Sequence, residues 1–334
     1  MNLLIIGGTS YFGTDIVELA LEAGHKVSIC SRGNTRPAFW ERVTHVAVDR
    51  TDPVAFAKAL QGKSFDAVID NIAYNAHEVG NALGVFEGNI GRYILTTSSA
   101  VYLGSGPFDD SMSEEDLNLD KTISLLSDDQ FYPWMEGYAN GKVQAERVLF
   151  EQDAVPYTIL RPPSVSGPED TTRIGIFYMQ RLLDGGPVIL TNGGKQPYQP
   201  IYRLDLARAF MLALNSDKAI NQAYNIAQSQ ACRMIDWVEL AANFLGVSAN
   251  RVGVPSEWIK KAAFKYAEPF TDNEVKQDTT KASAELNFTP TPIESWTQTT
   301  AQWYRDTNHK EDSPGYADRN KEVAFAKEYP TLKI

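Results

Sequence analysis

Tyr138 and Lys142 stand one helical turn apart in the run Tyr138-Ala139-Asn140-Gly141-Lys142, so on a helix their side chains share a face. An ammonium beside a phenol stabilises the phenolate and lowers its pKa, which a proton-transfer residue working near neutral pH requires. Alone, such a pair is an ordinary half-exposed helix face; two other segments give it a chemical setting. The chain opens on Leu3-Leu4-Ile5-Ile6-Gly7-Gly8-Thr9-Ser10-Tyr11-Phe12-Gly13. This reads as a buried strand running into a glycine turn at a helix N-terminus, the arrangement that accepts a dinucleotide pyrophosphate. Between the two, Arg92-Tyr93-Ile94-Leu95-Thr96-Thr97-Ser98-Ser99-Ala100-Val101-Tyr102 is an apolar strand ending in a hydroxyl cluster. Ligands of a doubly wound sheet sit at the C-terminal ends of its strands, where Ser98 can hydrogen-bond a substrate oxygen beside the Tyr138 phenol. The three segments together predict an enzyme that moves a hydride to or from a nicotinamide while tyrosine handles the proton.

The elements that must position these residues alternate through the first half. Strands are expected at 2–7, 27–31, 43–48, 67–70, 93–97 and 157–161, and helices at 12–24, 53–60, 76–86 and from Tyr138 to about Phe150. On the first helix Ile16, Leu19 and Ala20 are expected to face the sheet. Strands separated by helices imply a parallel sheet with right-handed crossovers. The second half has short isolated strands at 188–190 and 223–226, helices near 173–184, 204–214 and 234–245, and more loop. It reads as a smaller mixed α/β substrate-binding region interleaved with the sheet. The expected division is a cofactor and catalytic part over 1–165, a mainly substrate-binding part over 166–305 and a C-terminal arm over 306–334.

Composition excludes several classes. A chain of 334 residues with 43% hydrophobic and 22% charged residues can bury a large core and reads as a globular protein of a cytoplasmic kind. The two cysteines, Cys30 and Cys232, make no disulfide framework. The apolar N-terminal run breaks at Gly7-Gly8 and is no signal peptide, and no stretch approaches a membrane span, so no membrane partner is expected. A net charge of −11 opposes a nucleic-acid partner, because phosphate binding needs a basic face. His25, His45, His77 and His309 are scattered without ligand spacing, so no metal is expected, and no Ser-His-Asp order or nucleophile elbow is visible.

With these residues on the page the chain resembles an extended short-chain dehydrogenase/reductase of the NAD-dependent epimerase/dehydratase superfamily. The glycine turn, the Thr96–Tyr102 strand end, the Tyr138/Lys142 pair, Leu160-Arg161-Pro162-Pro163-Ser164-Val165-Ser166-Gly167-Pro168 and Asp205-Leu206-Ala207-Arg208-Ala209 occur in that family's order. The resemblance extends through Asp278-Thr279-Thr280-Lys281-Ala282 to about residue 305. It implies a Rossmann-type doubly wound fold, catalytic Ser98, Tyr138 and Lys142, and a homodimer built on two helices flanking the sheet. Lys142 is then expected on the nicotinamide ribose. The implied cofactor face comprises Gly7, Thr9, Ser10, Tyr11, Phe12 and Gly13, with Asp49 and Arg50 near the adenine. Asn71 and Ala73 follow the fourth strand, and Thr96, Pro162, Ser164 and Val165 complete the face beside Tyr138 and Lys142. Its GGTxxxG turn also resembles a divergent branch that includes chloroplast stem-loop-binding proteins, for some of which RNA binding has been proposed.

Departures from the family pattern carry information. Ser10 replaces the middle glycine of the usual turn, and its hydroxyl can still lie beside a pyrophosphate. After the second strand Ser31-Arg32 replaces the acidic residue that NAD-dependent members present to the ribose; a hydroxyl and a guanidinium suit a 2′-phosphate, which favours NADP over NAD. Dehydratases of the family carry Asp-Glu after the Ser98 position; Ser99 and Ala100 stand here and cannot eliminate water. Epimerases place an arginine on a substrate phosphate where this chain has Tyr198, leaving Arg173, Lys195 and Arg203 as substitutes. The expected activity is hydride transfer to or from a carbonyl/alcohol of a sugar-like small molecule, with a nucleotide-sugar epimerase and a non-catalytic NAD(P) sensor or scaffold as alternatives. Between Tyr102 and Tyr138 a long acidic connection, including Asp109, Asp110, Glu114, Glu115, Asp116, Asp120, Asp128 and Asp129, reads as a solvated loop, or as a lid favouring an uncharged or cationic substrate. Phe131, Tyr132 and Trp134 could line such a pocket.

Overall fold

Leu3, Leu4, Ile5 and Ile6 are all fully buried, the signature of a parallel strand covered on both faces. In the computed structural model, which describes residues 1–103, 111–123, 135–170, 176–262, 264, 276–307, 313 and 315–329, this run is strand β1 (Asn2–Ile6). It is followed by β2 (Lys26–Ser31), β3 (Thr44–Ala47), β4 (Ala67–Asp70), β5 (Tyr93–Thr96) and β6 (Tyr157–Arg161). Helices α1 (Phe12–Glu22), α2 (Pro53–Leu60), α3 (Ala76–Phe86) and α4 (Met135–Phe150) alternate with them. A seventh strand, Gln222–Asn225, returns from the second half to pair with β6, and every pairing in the sheet is parallel. The order across the sheet is β3-β2-β1-β4-β5-β6 and then Gln222–Asn225. The chain leaves β1 in one direction and returns to β4 on its other side, so the crevice between the ends of β1 and β4 is the topological switch point where ligands bind.

Local chemistry starts the helices where expected. Asp52 caps α2 by accepting from Val54 and Ala55 N–H, with Pro53 at the first helical position. Asn75 caps α3 through Glu78 N–H, and Glu78 reaches back to Tyr74 N–H at 2.6 Å. The sheet has two faces of core. Leu3, Ile5, Ile29 and Ile69 pack with α1 and the helix Arg203–Leu214; Leu4, Ile6, Val68, Leu95 and Ile159 pack with α2, α3 and α4. On α1 the fully buried residues are Ile16, Val17 and Ala20, while Leu19 is only partly buried: the helix is wedged between the sheet and Arg203–Leu214, which turns Val17 inward.

The second half builds a separate apolar core around Phe177, Tyr178, Met234, Trp237 and Trp296. Its strands are short pairs: Val165–Ser166 with Ile201–Tyr202, Pro197–Tyr198 with Cys232–Arg233, and Val188–Thr191 with Arg251–Val254. The helix expected near 173–184 spans Phe177–Leu183. From the C-terminal arm, helix Arg319–Ala326 seals this core with Phe325, Ala326 and Tyr329, and Glu322 makes a buried ion pair with Arg181. No described helix is long and apolar enough to cross a membrane. Asp109, Asp110, Asp128, Asp129, Phe131, Tyr132, Trp134, Arg173 and His309 lie outside the described residues.

Candidate active site

The glycine turn leaves β1 with Gly7 at φ 89°, and a methyl group there would lie 2.6 Å from Ile72 Cγ2. At Gly13 a methyl would overlap the Gly7 carbonyl oxygen, so only glycine lets α1 start against the turn. Tyr11 carries the tight bend in place of a glycine, at φ 50° and ψ −136°, and no side chain caps α1. The uncapped N-terminus faces the switch point, with Ser10 exposed and Thr9 and Phe12 half-buried beside it. Asn71 reaches the same place from the end of β4. Its amide oxygen accepts from Thr96 Oγ1 at 3.0 Å, while its buried Nδ2, close to Gly13, has no hydrogen-bond partner. An orphaned donor beside an uncapped helix N-terminus and glycine turn fits a dinucleotide pyrophosphate.

Ser98, Tyr138 and Lys142 come together at the ends of β4 and β5. Ser98 Oγ accepts from Ala100 N–H at 3.2 Å, and its hydroxyl shares a hydrogen bond with the Tyr138 phenol. Its neighbours are committed elsewhere: Thr97 Oγ1 donates to the buried Glu146 at 2.6 Å, and Ser99 N–H to Pro162. Burial pushes the Tyr138 phenol up to about 12, against the Ser98 hydrogen bond that lowers it. The expected lowering by Lys142 does not prevail here. Lys142 Nζ instead donates to the carbonyls of Ala73 and Thr96 at 2.6 and 3.0 Å, and lies 5.6 Å from the Tyr138 ring centroid. Burial pulls its ammonium down to about 8, with Asp70 opposing.

Two residues of this site carry no motif signal of their own. Tyr74 is half exposed, its ring centroid 4.7 Å from Lys142 Nζ and 6.0 Å from that of Tyr138, so it roofs the pair. Gly141 lies in α4 where a methyl would overlap the Tyr74 carbonyl oxygen; a glycine inside a helix is the one sequence clue to that close approach.

Other expected cofactor residues divide by direction. Arg32 is exposed at the end of β2, beside Ser31, whose hydroxyl lies 3.0 Å from His45 Nε2. Asp49 is exposed but accepts from Thr51 N–H and Oγ1, which hold its carboxyl below the usual range. At Arg50 the buried guanidinium is clamped by Asp70 at 2.6 Å and donates to the Glu78 carbonyl, because a cation under the sheet end needs both partners. Only its backbone remains for a cofactor. Ser164 and Val165 are half-buried, tied to Ile201 through the short strand pair, and Pro162 is buried.

On the substrate side Tyr198 is fully buried, 3.2 Å from Ser166 Oγ and packed on Trp237. Arg203, expected as a substitute phosphate ligand, is instead paired with Asp15 and Glu169; Lys195 is exposed. The described acids of the long connection are also engaged: Glu114 accepts from Asn225 N–H, Asp116 caps Ser113, and Asp120 meets Arg147. For these residues the lid reading gives way to a structural one. A polar cleft of about 700 Å³ is lined by Ser111, Gln199, Ser229, Lys276, Asp278 and Thr280. Ser98, Tyr138 and Lys142 do not line it.

Sheet order and the glycine turn after β1 define an α/β fold of the Rossmann type. A sequence model of the NAD dependent epimerase/dehydratase family matches residues 3–227, and the chain belongs to that family. It is similar to a chloroplast stem-loop binding protein of 41 kDa from Arabidopsis thaliana, 26% identical over 239 residues, which covers 68% of this chain and 58% of that protein. It is also similar to 2′-dehydrokanamycin reductase of Streptomyces kanamyceticus, 24% identical over 271 residues, covering 77% of this chain and 70% of that one. Among solved structures, UDP-glucose 4-epimerase of Thermotoga maritima with UDP-glucose superposes with a TM-score of 0.73 at 17% identity, over 92% of this chain and 100% of that one. UDP-glucuronic acid 4-epimerase of Bacillus cereus in complex with NAD gives 0.70 at 19% identity, over 94% and 99%. These similarities show the fold.

Proposed function

We propose that this chain is an NADP(H)-preferring oxidoreductase that interconverts a carbonyl and an alcohol on a sugar-like small molecule. The observation that carries the proposal is the convergence of Ser98, Tyr138 and Lys142 at the ends of β4 and β5, next to the strand that leads into the glycine turn. Residues 1–165 would hold cofactor and catalytic groups, and 166–305 most of the substrate. Gly7, Thr9, Ser10 and Gly13 with the α1 N-terminus and Asn71 Nδ2 would hold the pyrophosphate, and Ser31 and Arg32 a 2′-phosphate.

The nicotinamide, when bound, supplies or accepts the hydride. Ser98 holds the substrate oxygen, and Tyr138 delivers or removes its proton. A phenol held near 12 is protonated at neutral pH, so the resting site is an acid suited to carbonyl reduction. A charged Lys142 favours phenolate as the proton leaves, and that charge fades as pH rises through about 8. Reduction is therefore expected to decline above about pH 8, while the phenol remains protonated.

The substrate class is read from the described residues alone. Among them Tyr198 stands buried where the family resemblance puts an epimerase's phosphate-binding arginine, Arg203 has no spare donor and Lys195 is exposed to solvent, which favours an unphosphorylated substrate over a nucleotide sugar. The reductase relative, named for 2′-dehydrokanamycin, supports a ketone on a sugar-like ring.

The test is NADPH oxidation over a panel of keto-sugars and their glycosides. Tyr138→Phe should lower kcat by a factor on the order of 10³ while NADPH binding, followed by nicotinamide fluorescence, stays intact. Conversion without net cofactor turnover would establish an epimerase instead, and binding without any turnover a sensor or scaffold. Tighter NADH than NADPH binding would overturn the assignment to Arg32.

A further inference from the structure

Arg203 opens the helix Arg203–Leu214, which packs beside α1 against the sheet, and its side chain reaches the glycine turn. Its guanidinium is buried and every donor is used. Nε and Nη2 clasp the two Asp15 oxygens at 2.6 and 2.9 Å. Nη2 also reaches the Tyr11 carbonyl at 3.2 Å and Thr14 Oγ1 at 3.1 Å. Nη1 donates to the Pro168 carbonyl at 2.8 Å and to Glu169 Oε2 at 2.9 Å. One side chain thus joins the turn that begins α1 to the loop 167–170.

Both of these segments are bent in ways side chains resist. Tyr11 has φ 50° and Glu169 φ 61°, positions where an L-residue is strained, and Gly167 stands at φ 146° against Arg203 Cγ. Such conformations persist only when surrounding contacts over-determine them, and Arg203 makes contacts to Tyr11 and to Glu169. The Tyr11 ring also lies 5.5 Å from the guanidinium carbon.

Charge gives a second reason. Asp15 lies in the first turn of α1, where its carboxylate opposes an incoming pyrophosphate. Arg203 pairs that carboxylate in a bidentate fork and cancels the charge.

We propose that Arg203 is a positioning residue that couples the dinucleotide turn to the substrate-side loop 167–170, so that occupancy of the turn steadies the loop. The proposal rests on the cofactor assignment made above. It predicts energetic coupling between two segments more than a hundred and fifty residues apart in sequence, carried by a single guanidinium that stands 188 residues from Asp15 in the chain.

The experiment combines NADPH titration by nicotinamide fluorescence with amide hydrogen exchange of residues 8–15 and 167–170. It uses the full chain as wild type, Arg203→Met, Arg203→Lys and the double variant Asp15→Asn/Arg203→Met. Arg203→Met should weaken NADPH binding by about tenfold, within the usual range of coupling between sites. It should also raise exchange in both segments without cofactor. The double variant should recover affinity, because no buried carboxylate is left unpaired, yet keep the fast exchange of 167–170. NADPH bound to wild type should slow exchange in 167–170, and that slowing should vanish in Arg203→Met. Affinity changed by less than about twofold, with exchange raised in one segment alone, overturns the proposal. If wild type binds neither NADPH nor NADH, the cofactor assignment fails, and the coupling is judged by whether exchange rises in both segments or in one. Should Arg203→Met not fold, Arg203→Lys keeps the charge but loses the fork, and the same two segments decide.

Discussion

The proposed cofactor side and the proposed substrate side of this chain are built from different materials. On the cofactor side the shape is made by backbone: Gly7 and Gly13 remove side chains where chain meets chain, and the turn presents N–H groups. On the substrate side the shape is made by side chains from distant segments. Tyr198 packs on Trp237 with ring centroids 4.9 Å apart, Tyr202 stacks on Trp296, and the buried Arg181, Glu322 and Arg319, joined by Asp184 at the surface, form an ion cluster that pins the C-terminal arm. A backbone surface serves any dinucleotide, whose pyrophosphate does not vary. A surface of side chains can be recut for a new substrate without disturbing the sheet. The difference teaches why the glycine turn can keep the family pattern while the side-chain surface, with Tyr198 buried in it, departs from it.

The largest expected effect separates these materials at one atom. Gly13→Ala puts a methyl into the Gly7 carbonyl oxygen, so α1 must move; we expect loss of measurable NADPH binding and destabilisation of about 3 kcal/mol or less in a urea titration. A variant that still bound NADPH with wild-type affinity would mean that the turn is not the pyrophosphate site.

Next come the buried ion pairs, one on each side. Arg161 meets Glu146 at 2.6 Å between β6 and α4, and Arg181 meets Glu322 at 2.9 Å in the second core. Removing one partner of a buried pair costs about 3–5 kcal/mol because the other charge is stranded. Arg161→Met and Arg181→Met should therefore destabilise comparably in thermal unfolding. Only Arg161→Met should weaken NADPH binding, since Glu146 also holds Thr97 beside Ser98. Equal loss of cofactor affinity in both variants would show that the two sides respond as one unit.

The smallest effect concerns the roof over Lys142. A cation–π contact is worth roughly 0.5–1 kcal/mol at an exposed site, and 1.36 kcal/mol is one pKa unit. Tyr74→Leu should lower the Lys142 titration further by about half a unit, and Tyr74→Phe should leave it in place. Amine labelling of Lys142 against pH, read by mass spectrometry, measures this without a substrate. The alkaline limb of reduction should shift downward in the leucine variant, because the ammonium is lost at lower pH.

Much of the sheet was legible because its signals are local. Helices α2 and α3 begin and end where their caps and apolar periods predict, and the bounds of β4 and β6 agree as well. Ser98 was chosen over Thr97 and Ser99 by position alone; the structure gives the Ser98 hydroxyl a hydrogen bond to Tyr138 and ties Thr97 Oγ1 to Glu146. The side-chain partners of Arg50 were not legible, since motif position does not say which face a long side chain takes. Tyr74 and Arg203 were not legible as partners of Lys142 and Asp15, because neither pairing has a sequence period.

By itself the sequence determined the alternating strands and helices, the glycine turn and the face shared by Tyr138 and Lys142. These depend on neighbours a few residues away, through steric limits on φ and ψ, capping and helical periodicity. Only the tertiary structure decided that Tyr138 would rest as a protonated phenol near 12, that Lys142 would sit on two carbonyls, and that Arg203 would close on Asp15 of the neighbouring helix. The physical reason is that desolvation and charge pairing depend on which distant segments exclude water from a group, and that is a property of the packed chain.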